Sequence, residues 1–99
     1  MPAPQSPEVV EREVWTTPEE FRHGLGLAFP GRVTERNGIL HVDDGQAAME
    51  VALEIITPRV IALLNMPRMK VRLRMTAGSA EQRVALLARM DLAMHRGGG

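Results

Sequence analysis

Ninety-nine residues suit a single domain, and a formal net charge of zero sets aside the strongly basic and strongly acidic classes that bind nucleic acid or stay unfolded. The chain has no cysteine, which excludes disulfides, thiolate metal sites and cysteine nucleophiles. Its 44% hydrophobic content includes only three aromatic residues, Trp15, Phe21 and Phe29, so the core must be aliphatic, with methionine filling irregular gaps.

Residues 1–7 hold three prolines and almost no large apolar side chain, and they read as a disordered lead-in to a domain over 8–96. They lack the basic and apolar regions of a signal peptide. No apolar run approaches the ~20 residues of a membrane span. The expectation is a cytoplasmic protein without membrane association.

Val9 to Trp15, VVEREVW, mixes β-branched and charged residues near period two and predicts a strand. TTPEEF then opens a helix. Thr17 is the cap, Pro18 the first helical residue, and Glu20 completes a capping box. Phe21, Leu25, Ala28 and Phe29 share its apolar face. Gly24 and Gly26 each weaken it by about 1 kcal/mol relative to Ala, which close approach to a sheet would explain. Pro30-Gly31 ends the helix.

Asn37-Gly38 marks a hairpin with a two-residue type I′ turn, and Asp44-Gly45 reads as a second turn of the same kind. In the next strand Met49, Val51, Leu53 and Ile55 alternate with Ala48, Glu50, Ala52 and Glu54. Val60 to Leu64 is a short apolar run that periodicity leaves open, either a buried strand or an irregular crossing. Beyond it Met69, Val71, Leu73 and Met75 turn inward, and Arg68, Lys70, Arg72 and Arg74 outward. Ser79 and Gln82 form a capping box for a last helix with Leu86, Leu87, Met90 and Met94 as its core stripe. The predicted core includes Leu53, Val71, Leu73, Leu87 and Met90.

These elements predict an α+β domain. It has one antiparallel sheet of four to five strands and two helices on one face, in the order β-α-β-β-β-(β)-β-α. With Val60–Leu64 as a strand the topology is similar to that of the TATA-binding-protein-like fold. That likeness implies no function.

Few residues suggest chemistry. Arg68, Lys70, Arg72 and Arg74 form a cationic row ~20 Å long at about 3.3 Å per residue. Such a row could follow a phosphate backbone, although it has no interleaved aromatic platform. The competing reading is a solvated face on which Glu11, Glu13, Glu50 and Glu54 pair with the cations. His41 and Asp43 share a strand face, but His23 and His95 have no spacing that completes a metal site. Asp91 borders the apolar stripe of the last helix and needs a partner. Ser6 and Ser79 have no nucleophile context, and no phosphate-loop motif occurs. Gly97 to Gly99 form a glycine tail, expected to be flexible. It could serve a carrier protein, but the favoured reading has Gly97 stopping the helix in the left-handed conformation.

The expectation is therefore a small non-catalytic binding or assembly protein, with no metal and no cofactor, whose partner is another protein or a second copy. The cationic strand marks the tentative binding residues. Ala85, Ala88 and Leu92 form a second apolar stripe on the last helix. A nucleic-acid-binding module is the alternative, with the carrier behind it.

Overall fold

A computed structural model describes residues 9–98; the expected lead-in and Gly99 lie outside the described residues. The chain forms β1 (Val9–Val14), α1 (Pro18–Ala28), β2 (Val33–Arg36), β3 (Ile39–Asp43), β4 (Ala48–Ile61), β5 (Leu64–Ala77) and α2 (Ala80–Gly98). The fold is α+β, with one antiparallel sheet in the order β1-β5-β4-β3-β2. Helix α1 carries the chain from one sheet edge to the other.

Local chemistry accounts for the helix starts. Thr17 Oγ1 accepts from the Glu20 amide at 3.2 Å, and Glu20 Oε1 accepts in return from the Thr17 amide at 3.5 Å. At α2, Ser79 Oγ accepts from the Gln82 amide at 3.2 Å and Gln82 Oε1 from the Ser79 amide at 2.9 Å. Each box satisfies amides that the first helical turn leaves without partners.

Both helices lie on one face of the sheet. Phe21, Leu25 and Phe29 of α1 and Leu86 and Met90 of α2 are buried against Leu40, Val42, Met49, Val51, Met69, Val71, Leu73 and Met75. The expected burial of Val71, Leu73 and Met90 holds, whereas Leu53 and Leu87 are partly buried at the margin. Leu86, also in the expected stripe, is the fully buried leucine of α2, and Met94 packs partly buried against the core as Leu87 does. Gly24 explains itself differently from the expectation. A Cβ there would lie 3.3 Å from Met94, so the close approach is to α2 and not to the sheet. Gly26 has open space around it.

The two turns around β3 differ. Asn37 and Gly38 have φ of 54° and 79°, as a type I′ turn requires. Asp44-Gly45 does not form a second such turn. Between Asp43 and Ala48 the loop has four residues, and the Asp44 carboxylate accepts from the amides of Gln46 and Ala47, both at 2.9 Å. Asp43 accepts from the Gly45 amide at 2.8 Å. The Asp44 amide also donates to the Ala47 carbonyl at 3.1 Å, so the aspartate side chains add to one backbone bond across the loop. Gly78, with φ of 108°, packs on this loop; a Cβ there would lie 2.7 Å from that of Ala47.

Val60–Leu64 is neither a buried strand nor a crossing. It is the far end of a long hairpin. β4 runs to Ile61, Ala62 and Leu63 turn, and β5 starts at Leu64, with Ile61 opposite Leu64. No separate strand exists in this segment. Gly97 does not stop α2 either, because the helix continues through Gly98.

Candidate functional site: the outer sheet face and the hairpin arm

The helix-free face of the sheet carries the cationic row. Strand alternation puts Arg68, Lys70, Arg72 and Arg74 on this face, opposite the buried Met69, Val71, Leu73 and Met75. The register places Glu11 beside Arg72 and Glu13 beside Lys70 on one flank, and Glu50 beside Arg74 and Glu54 beside Lys70 on the other. The row therefore runs between two rows of glutamates.

Three of the four cations are engaged. Arg72 donates through Nε and Nη2 to Glu11 Oε2, at 3.0 and 2.7 Å. Arg74 Nη1 lies 3.6 Å from Glu50 Oε1. Arg68 donates from Nη1 to Glu13 at 3.1 Å and from Nε to the Thr57 carbonyl at 2.9 Å. That carbonyl lies in the irregular stretch of β4 between Ile56 and Arg59, where the ladder skips residues. Arg68 thus closes a gap in the sheet. The hydrogen bond and charge of Arg72, with a smaller contribution from Lys70, hold the Glu11 carboxyl below its usual range.

His41 and Asp43 do not form a working pair. His41 Nδ1 lies 4.0 Å from Glu50 Oε2, and Asp43 is spent on its turn. No group of three metal-ligating side chains occurs among the described residues. Asp91 has found its partner in Arg12. The guanidinium Nη2 reaches Asp91 Oδ2 at 3.1 Å, tying edge strand β1 to α2. No charged or polar residue is fully buried among the described residues. A depression of about 220 Å³ beside β1 is lined by Glu11, Arg12, Glu13, Ile56 and Lys70. It is smaller than the ~300–1,000 Å³ of ordinary ligand pockets. Arg12, Glu11 and Glu13 are already committed to other groups.

The second feature is the hairpin arm. β3 pairs with β4 only from Ala48 to Val51, and β1 pairs with β5 only from Met69 to Arg74. Residues 56–68 therefore continue, from Ile55 at the base, as a two-stranded ribbon beyond both neighbours, and the molecule measures 49 Å along its longest axis. The ribbon is apolar and uncovered. Ile55 is 72% exposed, Val60 67%, Ile61 49%, Leu63 98% and Leu64 63%. By register, Ile56, Ile61, Leu64 and Met66 share the outer face with Arg68, while Ile55 and Val60 lie on the helix side. Ala62 has a φ of 57° at the first turn position, where glycine is usual in type II′ turns. Sequence reading missed the arm because it weighed only a buried strand and an irregular crossing for this apolar run. The available signal was VIALL standing between Pro58 and Pro67, two residues that tend to interrupt a ladder.

Comparison with known protein families, with curated proteins and with solved structures finds no match for this chain. The fold and the exposed surfaces alone define it, as a small α+β domain with one sheet face ion-paired and one hairpin extended. No helix among the described residues is long and apolar enough to cross a membrane.

Proposed function

We propose that this chain is a small, non-catalytic binding or assembly protein of the cytoplasm, and that the β4–β5 arm is its docking element. The observation that carries this reading is the uncovered apolar ribbon from Ile55 to Met66. An isolated two-stranded hairpin is at best marginally stable in water. This one also exposes five large aliphatic side chains in one place, a pattern that marks interaction surfaces. A partner covering the arm would remove both costs.

The nucleic-acid reading has less support. Phosphate binding draws its strength from cations free to displace counterions. Here Arg68, Arg72 and Arg74 are held by glutamates, and the face offers no aromatic side chain between them. The carrier reading needs an extended tail, and Gly97 and Gly98 have helical backbone.

The test is photocrosslinking in cells, with Leu63 replaced by p-benzoylphenylalanine and the same probe at exposed His23 as control. A protein adduct specific to position 63 is expected. If position 63 gives no protein adduct, the assembly reading fails.

A further inference from the structure

We infer that the β4–β5 arm is hinged at its base and that Arg68 is the latch that sets its angle to the sheet. The inference goes beyond the docking reading, since it concerns how the arm joins the body and holds with or without a partner.

The hinge is a break in the ladder on both strands at one level. Ile56 pairs with Arg68 and Arg59 with Met66, so Thr57 and Pro58 of β4 face the single residue Pro67 of β5. Two residues against one form a β-bulge, which bends the bulged strand and disrupts the ladder locally. Neither Pro58 nor Pro67 has an amide to donate. The level that joins the arm to the sheet is thus the level at which the backbone supplies least.

Packing does not make up the difference. Pairing with β1 stops at Met69 and pairing with β3 at Val51. Ile55 and Val60 on the helix side are exposed, as are Ile61, Leu63 and Leu64, so neither helix covers the arm. A two-stranded ribbon with nothing packed on either face has little to fix its angle. From Pro67 to Leu63 the arm extends about 13 Å at ~3.3 Å per residue. A pivot of roughly 20°, the angle by which adjacent strands ordinarily differ, would carry the tip about 4–5 Å.

Arg68 spans the break. Its Nε donates to the Thr57 carbonyl, an oxygen of the bulge itself, at 2.9 Å, and its Nη1 donates to Glu13 on β1 at 3.1 Å. One rigid, planar guanidinium thereby ties β1 and β4 to its own strand, β5. The other arginines of the row differ. The Arg72 and Arg74 side chains are 60% and 65% exposed and each pairs with one carboxylate, whereas Arg68 is 23% exposed. Exposed pairs of the first kind hold geometry weakly. A guanidinium shared between a carboxylate and a bulge carbonyl, and partly shielded from water, holds it better.

The experiment is pulsed electron double resonance between nitroxides at His23→Cys, exposed on α1, and Leu63→Cys at the tip. The chain has no cysteine of its own, and an excess of unlabelled chain keeps the readout within one molecule. With Arg68 in place, a single narrow distance distribution is expected. Arg68→Met should widen it by roughly 4–5 Å, the arc of that pivot. Glu13→Gln, which keeps Arg68 and removes the charge of its anchor on β1, should widen it less, and it decides the matter if Arg68→Met does not fold. Arg72→Met, one strand period along the same row, should leave it unchanged. Circular dichroism and the urea midpoint should stay close to those of the wild-type chain, because the arm lies outside the common core. Three results overturn the inference: a distribution as narrow in both latch variants as with Arg68 and Glu13 in place, one already as wide with both in place as in Arg68→Met, or equal widening by Arg72→Met. The crosslinking at Leu63 is read separately, since its failure would remove the docking reading and leave the hinge and its latch as they are.

Discussion

Gly26 and Gly78 are both glycines near secondary structure, yet replacing each with alanine should move stability in opposite directions. Gly26 lies within α1 with open space where a Cβ would be, so Gly26→Ala should raise stability by about 1 kcal/mol through helix propensity. Gly78 has φ of 108° and would set a Cβ within 2.9 Å of Ala47 Cα and the Gln46 carbonyl. Gly78→Ala combines a disfavoured conformation with overpacking against backbone, and should cost at least about 2 kcal/mol. Urea melts of the two variants check both signs. Asp44 adds a pH-dependent contribution. The amides of Ala47 and then Gln46, with weaker help from Arg89 and Arg32, hold its carboxyl below the usual aspartate range. A depressed folded pKa means that this stabilisation is complete above the unfolded value of about 3.9 and is lost as pH falls through the folded one. Asp44→Ala should therefore cost about 1 kcal/mol at pH 7. Its melts should converge with those of the wild-type chain as the pH is taken below about 4; a difference that stays constant down to pH 2 would contradict the assignment.

The elements depend on packing to unequal degrees. Leu86 is buried between α2 and the sheet, so Leu86→Ala should cost about 2–5 kcal/mol. Leu87, half-buried at the margin, should cost clearly less, and equal losses at the two positions would show that α2 is turned differently. At the arm, Ala62→Gly should relieve a left-handed conformation worth about 1–2 kcal/mol to an ordinary residue. The gain should appear as slower amide exchange in residues 60–65, with little change in the global midpoint, because the arm lies outside the common core. The β2–β3 turn was legible in Asn37-Gly38, since a two-residue turn is encoded by the residues within it. The β3–β4 loop was not, because Asp44-Gly45 fits more than one loop length and the carboxylate's bonds to Gln46 and Ala47 decide between them.

At the scale of the whole molecule, the ion-paired face and the extended arm make separate predictions about partners. With Arg68, Arg72 and Arg74 engaged by glutamates, the chain should elute from heparin at low salt, near 0.1 M, where the Debye length is about 10 Å. Replacing Glu11 and Glu13 by glutamine frees two of those cations and should raise the salt needed for elution. Strong retention of the wild-type chain would restore the nucleic-acid reading. Arg12–Asp91 works at the same scale, joining the chain's first strand to its last helix. Exposed pairs of this kind contribute little, and Asp91→Asn should change stability by less than about 1 kcal/mol.

By itself the sequence determined the helix starts, the strand alternation, the type I′ turn and the aliphatic core on one sheet face. Each depends on residues a few positions apart, within reach of one capping bond or one strand period. It also placed the cationic row correctly on a face with glutamates available, but whether those cations were bare or paired depended on strand order. Only the sheet order β1-β5-β4-β3-β2 brought Glu11 and Glu13 beside β5, from more than fifty residues away. Tertiary structure likewise decided the fate of VIALL. The same apolar run is a buried strand if neighbours flank it and an exposed arm if they stop short. Here β1 ends opposite Met69 and the β3 pairing ends at Val51, leaving Ile55 to Met66 without cover. A side chain's hydrophobicity is local, but its burial depends on where other strands end, and no residue within the run carries that information.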